Sequence, residues 1–177
     1  INRSKRPIVI AGYGARFNMP EVIALAERLN APVLTTFKAK GQIPDDHPLA
    51  AGVLGRSGTP VASWCMNEAD LLIVFGASFS NHTGISPKKT IIQVDFDQMA
   101  LGKFHPVDVP VWGDVGTTAE AILDELPDPS ETVDQRKILA QRWSQWREEK
   151  ARRRDRDRGQ GIHSAVLFDI LSQVAPE

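Results

Sequence analysis

Pro7-Ile8-Val9-Ile10-Ala11-Gly12-Tyr13-Gly14 is the stretch that decides the fold. Five consecutive apolar residues closed by a glycine turn describe a strand buried on both faces, and such strands belong to parallel sheets covered by helices on either side. The residues that follow agree. Pro20 suits a first helical turn, Val22, Ile23, Ala26 and Leu29 recur at helical spacing, and Asn30 ahead of Ala31-Pro32 is a stop signal. Pro32 to Thr36 reads as a second strand, Leu71 to Phe75 as a third, Thr90 to Asp95 as a fourth and Val107 to Trp112 as a fifth, with Pro110 placing the last at a sheet edge. Thr59-Pro60 opens a helix through about Asn67 with Val61, Trp64 and Cys65 facing inward. The capping-box spacing Thr117-Thr118-Ala119-Glu120 opens another, carrying Ala119, Ile122 and Leu126. Strands alternating with helices predict an α/β fold, a Rossmann-like doubly wound parallel sheet of about six strands. Phe37 to Gly58 shows no sustained period and reads as a long loop of the kind that usually carries function.

Composition narrows the function classes. With 177 residues, 42% of them hydrophobic, the chain can bury a real core without disulfides, and its single Cys65 could form no internal one. A net charge of -1 argues against a general polyanion binder, because nucleic-acid affinity comes from Lys and Arg neutralising phosphates. Only Arg147 to Arg158 is locally basic, and there Arg152-Arg153-Arg154 runs into Asp155 and Asp157 as a solvated helix end would. No apolar run reaches the roughly 20 residues of a membrane helix, and no signal peptide pattern occurs, so a cytoplasmic location is expected. His47, His82, His105 and His163 stand at no zinc-ligand spacing. Asp45-Asp46-His47, between Pro44 and Pro48, reads as turn chemistry. Cys65, on the inner face of its helix, reads as a small core residue.

The composition shifts at Pro127-Asp128-Pro129. Three parts are expected: a Rossmann-like central domain over 1–127, a charged helical linker over 128–161 with Leu139, Trp143 and Trp146 on one stripe, and over 162–177 the first helix of a further domain. A start at Ile1 and an end just after an apolar helical pattern read as a piece of a longer chain.

Ligands of open parallel sheets bind outside the carboxyl ends of the strands. The residues there are Gly12-Tyr13-Gly14, Thr35-Thr36-Phe37-Lys38, Gly76-Ala77-Ser78-Phe79, Asp95-Phe96-Asp97 and Gly113-Asp114-Val115. Glycines let backbone amides approach a phosphate, threonine hydroxyls and Lys38 add donors, and Asp95 or Asp97 can accept from a ribose hydroxyl or an adenine amino group. Any one of these turns is explained by turn formation alone. Five together point to a nucleotide-shaped crevice. The NAD fingerprint fails, since Gly12-Tyr13-Gly14-Ala15-Arg16-Phe17 lacks its third glycine and no acid ends the second strand. No phosphate-loop string G-x-x-x-x-G-K-[ST] occurs either.

The order of these turns resembles the central domain of thiamine-diphosphate-dependent enzymes of the acetolactate synthase, pyruvate oxidase and pyruvate decarboxylase type. The matching strings run from Pro7-Ile8-Val9-Ile10-Ala11-Gly12-Tyr13-Gly14 through Lys40-Gly41-Gln42-Ile43-Pro44, Gly52-Val53-Leu54-Gly55, Ala69 to Ala77 and Ile92 to Asp97 to Val111-Trp112-Gly113-Asp114-Val115. The resemblance implies a three-domain, homo-oligomeric parent, a transferase, lyase or oxidase of 2-oxo acids, with thiamine diphosphate and Mg held by the other two domains. It also implies that this chain alone is catalytically inert and holds no metal, because the family's activating glutamate and its Gly-Asp-Gly motif lie in those domains. Gly113-Asp114-Val115 is not that motif.

In the flavin-containing branches the central domain binds FAD, and other branches bind ADP or nothing. Carried over, Gly12, Tyr13 and Gly14 stand by the diphosphate, and Thr35, Thr36 and Lys38 by the ribityl and phosphate region. Gly52, Val53 and Gly55 stand by the flavin, Gly76, Ala77, Ser78 and Phe79 beneath the dinucleotide, and Asp95, Phe96 and Asp97 with Asp114 and Val115 near the adenosine. One departure is plain. The acetolactate synthases carry Gly-Ala-Arg-Phe-Asp-Asp-Arg after the third strand, whereas this chain carries Gly76-Ala77-Ser78-Phe79-Ser80-Asn81-His82, which removes two charge-assisted donors. A free-standing nucleotide sensor, or an interaction module docking through Trp143 and Trp146, is the alternative without catalysis.

Overall fold

A computed structural model describes residues 1–78, 80, 83–86, 88–128, 131–154 and 161–174. Two compact units divide the chain, Ile1–Leu139 and Ala140–Glu177.

The first unit is built on six strands: β1 (Pro7–Ala11), β2 (Val33–Thr35), β3 (Ala50–Val53), β4 (Leu71–Phe75), β5 (Thr90–Asp95) and β6 (Val109–Trp112). All pairs are parallel and the order is β3-β2-β1-β4-β5-β6. The connection reverses direction at β1, so the switch point lies between β1 and β4, as a doubly wound fold requires. Both of these strands are buried at every position, which their unbroken apolar sequences demand. Helices α1 (Met19–Arg28), α2 (Pro60–Glu68) and α3 (Val115–Glu125) complete the layers. One face of the sheet packs Val9, Ile73, Phe75 and Val94 against Val22, Leu25, Ala26 and Leu29 of α1 and Ala119 of α3.

Local chemistry explains the element ends. Helix α1 closes as a full Schellman motif: Ala31 N donates to Ala26 O at 2.8 Å and Asn30 N to Glu27 O at 3.2 Å, while Asn30 takes the left-handed φ of 50°. Thr59 caps α2 through its hydroxyl, which accepts from Ala62 N at 3.2 Å. Within α2, Val61 and Cys65 are buried and Trp64 is half-buried. The edge position expected for Pro110 holds, since β6 ends the sheet order.

Two expectations are corrected. Phe37 to Gly58 is not one long loop: it contains a single 3₁₀ turn at Phe37–Ala39 and the edge strand β3. Ala50-Ala51-Gly52-Val53 has neither alternation nor a β-branched run, so nothing local marks it as a strand. Pairing with β2 imposes it, with a register shift at Val33/Leu34. Helix α3 starts at Val115 rather than after a Thr117 cap, because the Asp114 carboxylate accepts from Thr117 N at 2.9 Å and so caps the helix three residues earlier.

Asp70, at the amino end of β4, fixes the segment leading into β1. Its carboxylate accepts from the Ser4 hydroxyl, from Lys5 N at 2.7 Å and from Arg6 N at 3.1 Å. Burial raises its pKa, but these hydrogen bonds together outweigh that and hold it below the ordinary 3.8. The native carboxylate therefore stabilises the fold at every pH above 3.8, and this contribution fades as pH falls through the lowered native value. Asp70→Ala should cost about 1–2 kcal/mol at pH 7, a modest figure because the site is largely exposed. The penalty should shrink in melts taken at progressively lower pH below 3.8. A penalty independent of pH would show that the carboxylate's charge plays no part.

In the second unit α4, which spans Arg136–Arg154 and begins in the first unit, carries i,i+4 pairs Glu148–Arg152 and Glu149–Arg153. Trp143 and Trp146 are half-buried, with Arg147 5.9 Å over the first ring and Arg153 5.4 Å over the second. Helix α5 (Ser164–Val174) follows, with its Phe168 and Val174 and the preceding Ile162 widely exposed. Among the described residues no helix is long and apolar enough to cross a membrane.

Candidate functional site

The carboxyl ends of β1, β2, β4 and β5 enclose a cavity of about 520 Å3, within the roughly 300–1,000 Å3 usual for small-molecule sites. A larger one, about 830 Å3, lies at the opposite end of the sheet, where Leu71 and Thr90 begin their strands. The carboxyl-end cavity is the candidate, because it stands at the switch point and gathers most of the polar residues singled out above.

At its floor the turns after β1 and β4 interlock. Gly12 N donates to Phe75 O at 2.8 Å and Gly14 N to Gly76 O at 3.0 Å, while Gly76 adopts a φ of 59°. A Cβ on Gly12 would lie 2.2 Å from Gly76 O, and one on Gly76 2.5 Å from Gly14 C. These glycines are thus required for the turns to touch. The amides of Gly12 and Gly14 are spent on that contact and that of Gly76 on Val94 O, at 2.9 Å, so these three glycines offer a phosphate no free N–H and side-chain donors gain weight. Thr36, Lys38, Ser78, Ser80 and Thr83 line the same cavity and supply them.

The acidic end is built by β5. Asp95 Oδ1 accepts from Asp97 N at 2.9 Å, and Asp97 Oδ1 accepts from Met99 N at 2.9 Å, starting the 3₁₀ turn Gln98–Ala100. Burial raises the Asp95 pKa, and the neighbouring Asp97 carboxylate adds to this against the opposing pull of the Asp97 amide. Lys38 beyond β2 and the carboxylates of Asp95 at the end of β5 and Asp97 beyond it give the cavity opposite charge at its two sides. At the β1 turn, Tyr13 lines the cavity and stacks on Arg16, whose guanidinium lies 4.2 Å from both the Tyr13 and Phe17 rings.

Nine of the residues expected from sequence line the cavity: Tyr13, Gly14, Thr36, Lys38, Gly76, Ala77, Ser78, Asp95 and Asp97. Gly12 lies beneath them, and Thr35 is buried in β2. Gly52 and Val53 lie in β3, and Gly55 just follows it. Phe96 is exposed, its carbonyl accepting from Trp112 Nε1 at 3.0 Å. Asp114 is engaged as a helix cap and Val115 is buried. Phe79 falls outside the described residues. Phe37, Leu54, Ser80, Thr83 and Ala100 also line the cavity. Their common signal is position, each lying one to eight residues beyond the end of β2, β3, β4 or β5. Among the described residues no group of three or more His, Cys, Asp or Glu could hold a metal ion.

The fold and this cavity define a class: a doubly wound parallel sheet with a crevice at the switch point, where such folds bind their ligands. The chain belongs to the family of thiamine pyrophosphate enzyme central domains, whose model matches residues 1–122. It is 38% identical over 158 residues to a probable acetolactate synthase large subunit of Methanococcus aeolicus, covering 82% of this chain and 26% of that protein. It is 40% identical over 107 residues to the putative thiamine pyrophosphate-containing protein YdaP of Bacillus subtilis, covering 60% and 19%. A third relative, the sulfoacetaldehyde acetyltransferase of Rhodobacter capsulatus, is 34% identical over 136 residues, covering 71% and 23%. The chain therefore spans about a quarter or less of the length of these relatives.

Proposed function

We propose that this chain is the central domain of a homo-oligomeric, thiamine-diphosphate-dependent enzyme of 2-oxo acid metabolism, located in the cytoplasm, and that its crevice holds an adenine nucleotide, ADP or the ADP half of FAD. The observation that carries this is the convergence of the family match with a cavity at the switch point, cationic on one side and acidic on the other. Asp95 and Asp97 are placed to accept from adenosine hydroxyl or amino groups, and Thr36, Lys38, Ser78 and Ser80 to donate to phosphate oxygens. That donor set suits a diphosphate: it offers one cation and several neutral hydroxyls.

The residues present do not fit thiamine diphosphate or its magnesium. Asp114, the one acid in a Gly-Asp context, spends its carboxylate on the cap of α3, which holds its pKa below 3.8. No catalytic step is assigned to this chain, whose part in the whole protein is to bind the nucleotide and to tie the flanking domains together.

Calorimetric titration of the folded chain with ADP and, separately, with FAD tests the reading. Saturable binding of ADP is expected, and additional affinity for FAD over ADP would place a flavin in the crevice. Binding of neither ligand to a chain shown by circular dichroism to be folded would overturn it.

A further inference from the structure

Gln93 is the one fully buried polar side chain in the middle of β5, and two of the three hydrogen bonds of its amide go to the crevice wall. Its Nε2 donates to Ala77 O at 3.1 Å and to Ala100 O at 3.0 Å, and its Oε1 accepts from Gly102 N at 2.9 Å. Ala77 belongs to the turn after β4 and Ala100 to the 3₁₀ turn after β5, and both line the cavity. The Gln93 side chain joins these two segments. On its other flank the β4 turn is pinned by the interlocked glycines, since Gly12 leaves room for a Cβ neither at Gly76 O nor at Ala77.

A buried amide with every partner satisfied is costly to replace and confers a unique arrangement on what it joins. An apolar residue would fill the core at this point equally well, so hydrophobic packing does not account for glutamine. We propose that Gln93 is the positioning residue of the crevice: it fixes the spacing between the β4 turn and the β5 turn and so holds the ligand-facing wall in its binding geometry before a ligand arrives. The inference rests on the nucleotide reading above and adds to it the residue on which affinity depends without contact.

The test compares the wild-type chain with Gln93→Met, which keeps the side-chain length and removes all three hydrogen bonds. ADP affinity by calorimetry should fall about tenfold, the equivalent of one or two lost hydrogen bonds' worth of preorganisation. Amide exchange at Gly102 should quicken, while β1 amides keep their protection. Equal ADP affinity in both proteins overturns the inference and leaves the nucleotide reading intact, whereas failure of the wild type to bind ADP overturns the reading and the inference with it. A general loss of protection that reaches β1, with affinity per folded molecule unchanged, assigns Gln93 to bulk stability and also overturns the proposal. Should Gln93→Met fail to fold, the wild type decides. The Gln93 Nε2 protons should exchange slowly in D2O and shift when ADP saturates the chain, and rapid exchange or an unmoved signal rejects the role.

Discussion

Gly12→Ala should be severely damaging to the fold of this protein. The added Cβ would sit 2.2 Å from Gly76 O and 2.6 Å from Ala77 Cα, both backbone atoms that no rotamer change can move. To make room, the turn after β1 must retreat from the turn after β4. That breaks the hydrogen bonds from Gly12 N to Phe75 O and from Gly14 N to Gly76 O in the middle of the sheet. Overpacking of this kind costs about 3 kcal/mol or more, a large part of the roughly 5–15 kcal/mol that holds a domain together. For a chain of this size that corresponds to a fall of about 10 °C in melting temperature. Gly41→Ala is the control. Gly41 has a positive φ, 90°, where Gly12 has an ordinary −100°, but a Cβ on Gly41 meets nothing within 4 Å, so only local backbone strain is added. Scanning calorimetry of the two variants separates close approach from conformational strain, and equal melting temperatures would show that the turns do not interlock as described.

The same contact explains what could be read from the sequence. Strands β1, β4 and β5 and helices α1 and α2 were legible because each carries its cause locally: a continuous apolar run, a 3.6-residue period, a capping threonine, a proline in the first turn. The crevice was legible as a set of strand ends, because the parallel topology itself places those ends together. What could not be read depends on partners distant in sequence. Ala50–Val53 becomes a strand only because β2 lies beside it. Thr117 resembles a cap, yet Asp114 takes the role, a competition that only backbone geometry settles. Gln93 reads as a polar interruption in an apolar strand. Its meaning appears only when Ala77, sixteen residues before it, and Ala100 and Gly102, seven and nine after it, are brought around it.

Leu139→Ala should also destabilise the first unit severely, although the composition changes from core-like to charged some dozen residues earlier. Beyond Pro127 the chain returns to the sheet. Val133 N donates to Lys5 O at 2.9 Å, the Thr132 hydroxyl to Leu29 O at 2.6 Å, and the Gln135 side chain, 2% exposed, to Pro7 O at 3.1 Å. Arg136 Nη1 reaches Asn30 Oδ1 at 2.6 Å, so the left-handed residue that ends α1 is also the anchor of this returning segment. Leu139, the last residue of the unit, is fully buried. Truncating a buried leucine costs about 2–5 kcal/mol, depending on how far the cavity can collapse. The segment is tied by hydrogen bonds to the amino end of β1 and the carboxyl end of α1, at the far side of the unit from the crevice. The expected pattern is therefore a large loss of stability in denaturant titration with ADP affinity of the folded molecules unchanged. The neighbouring Lys137→Ala, on the same helical turn but without a buried side chain, should be nearly neutral. If Leu139→Ala were neutral as well, residues 131–139 would be a tether, and the folded unit would end where the composition changes.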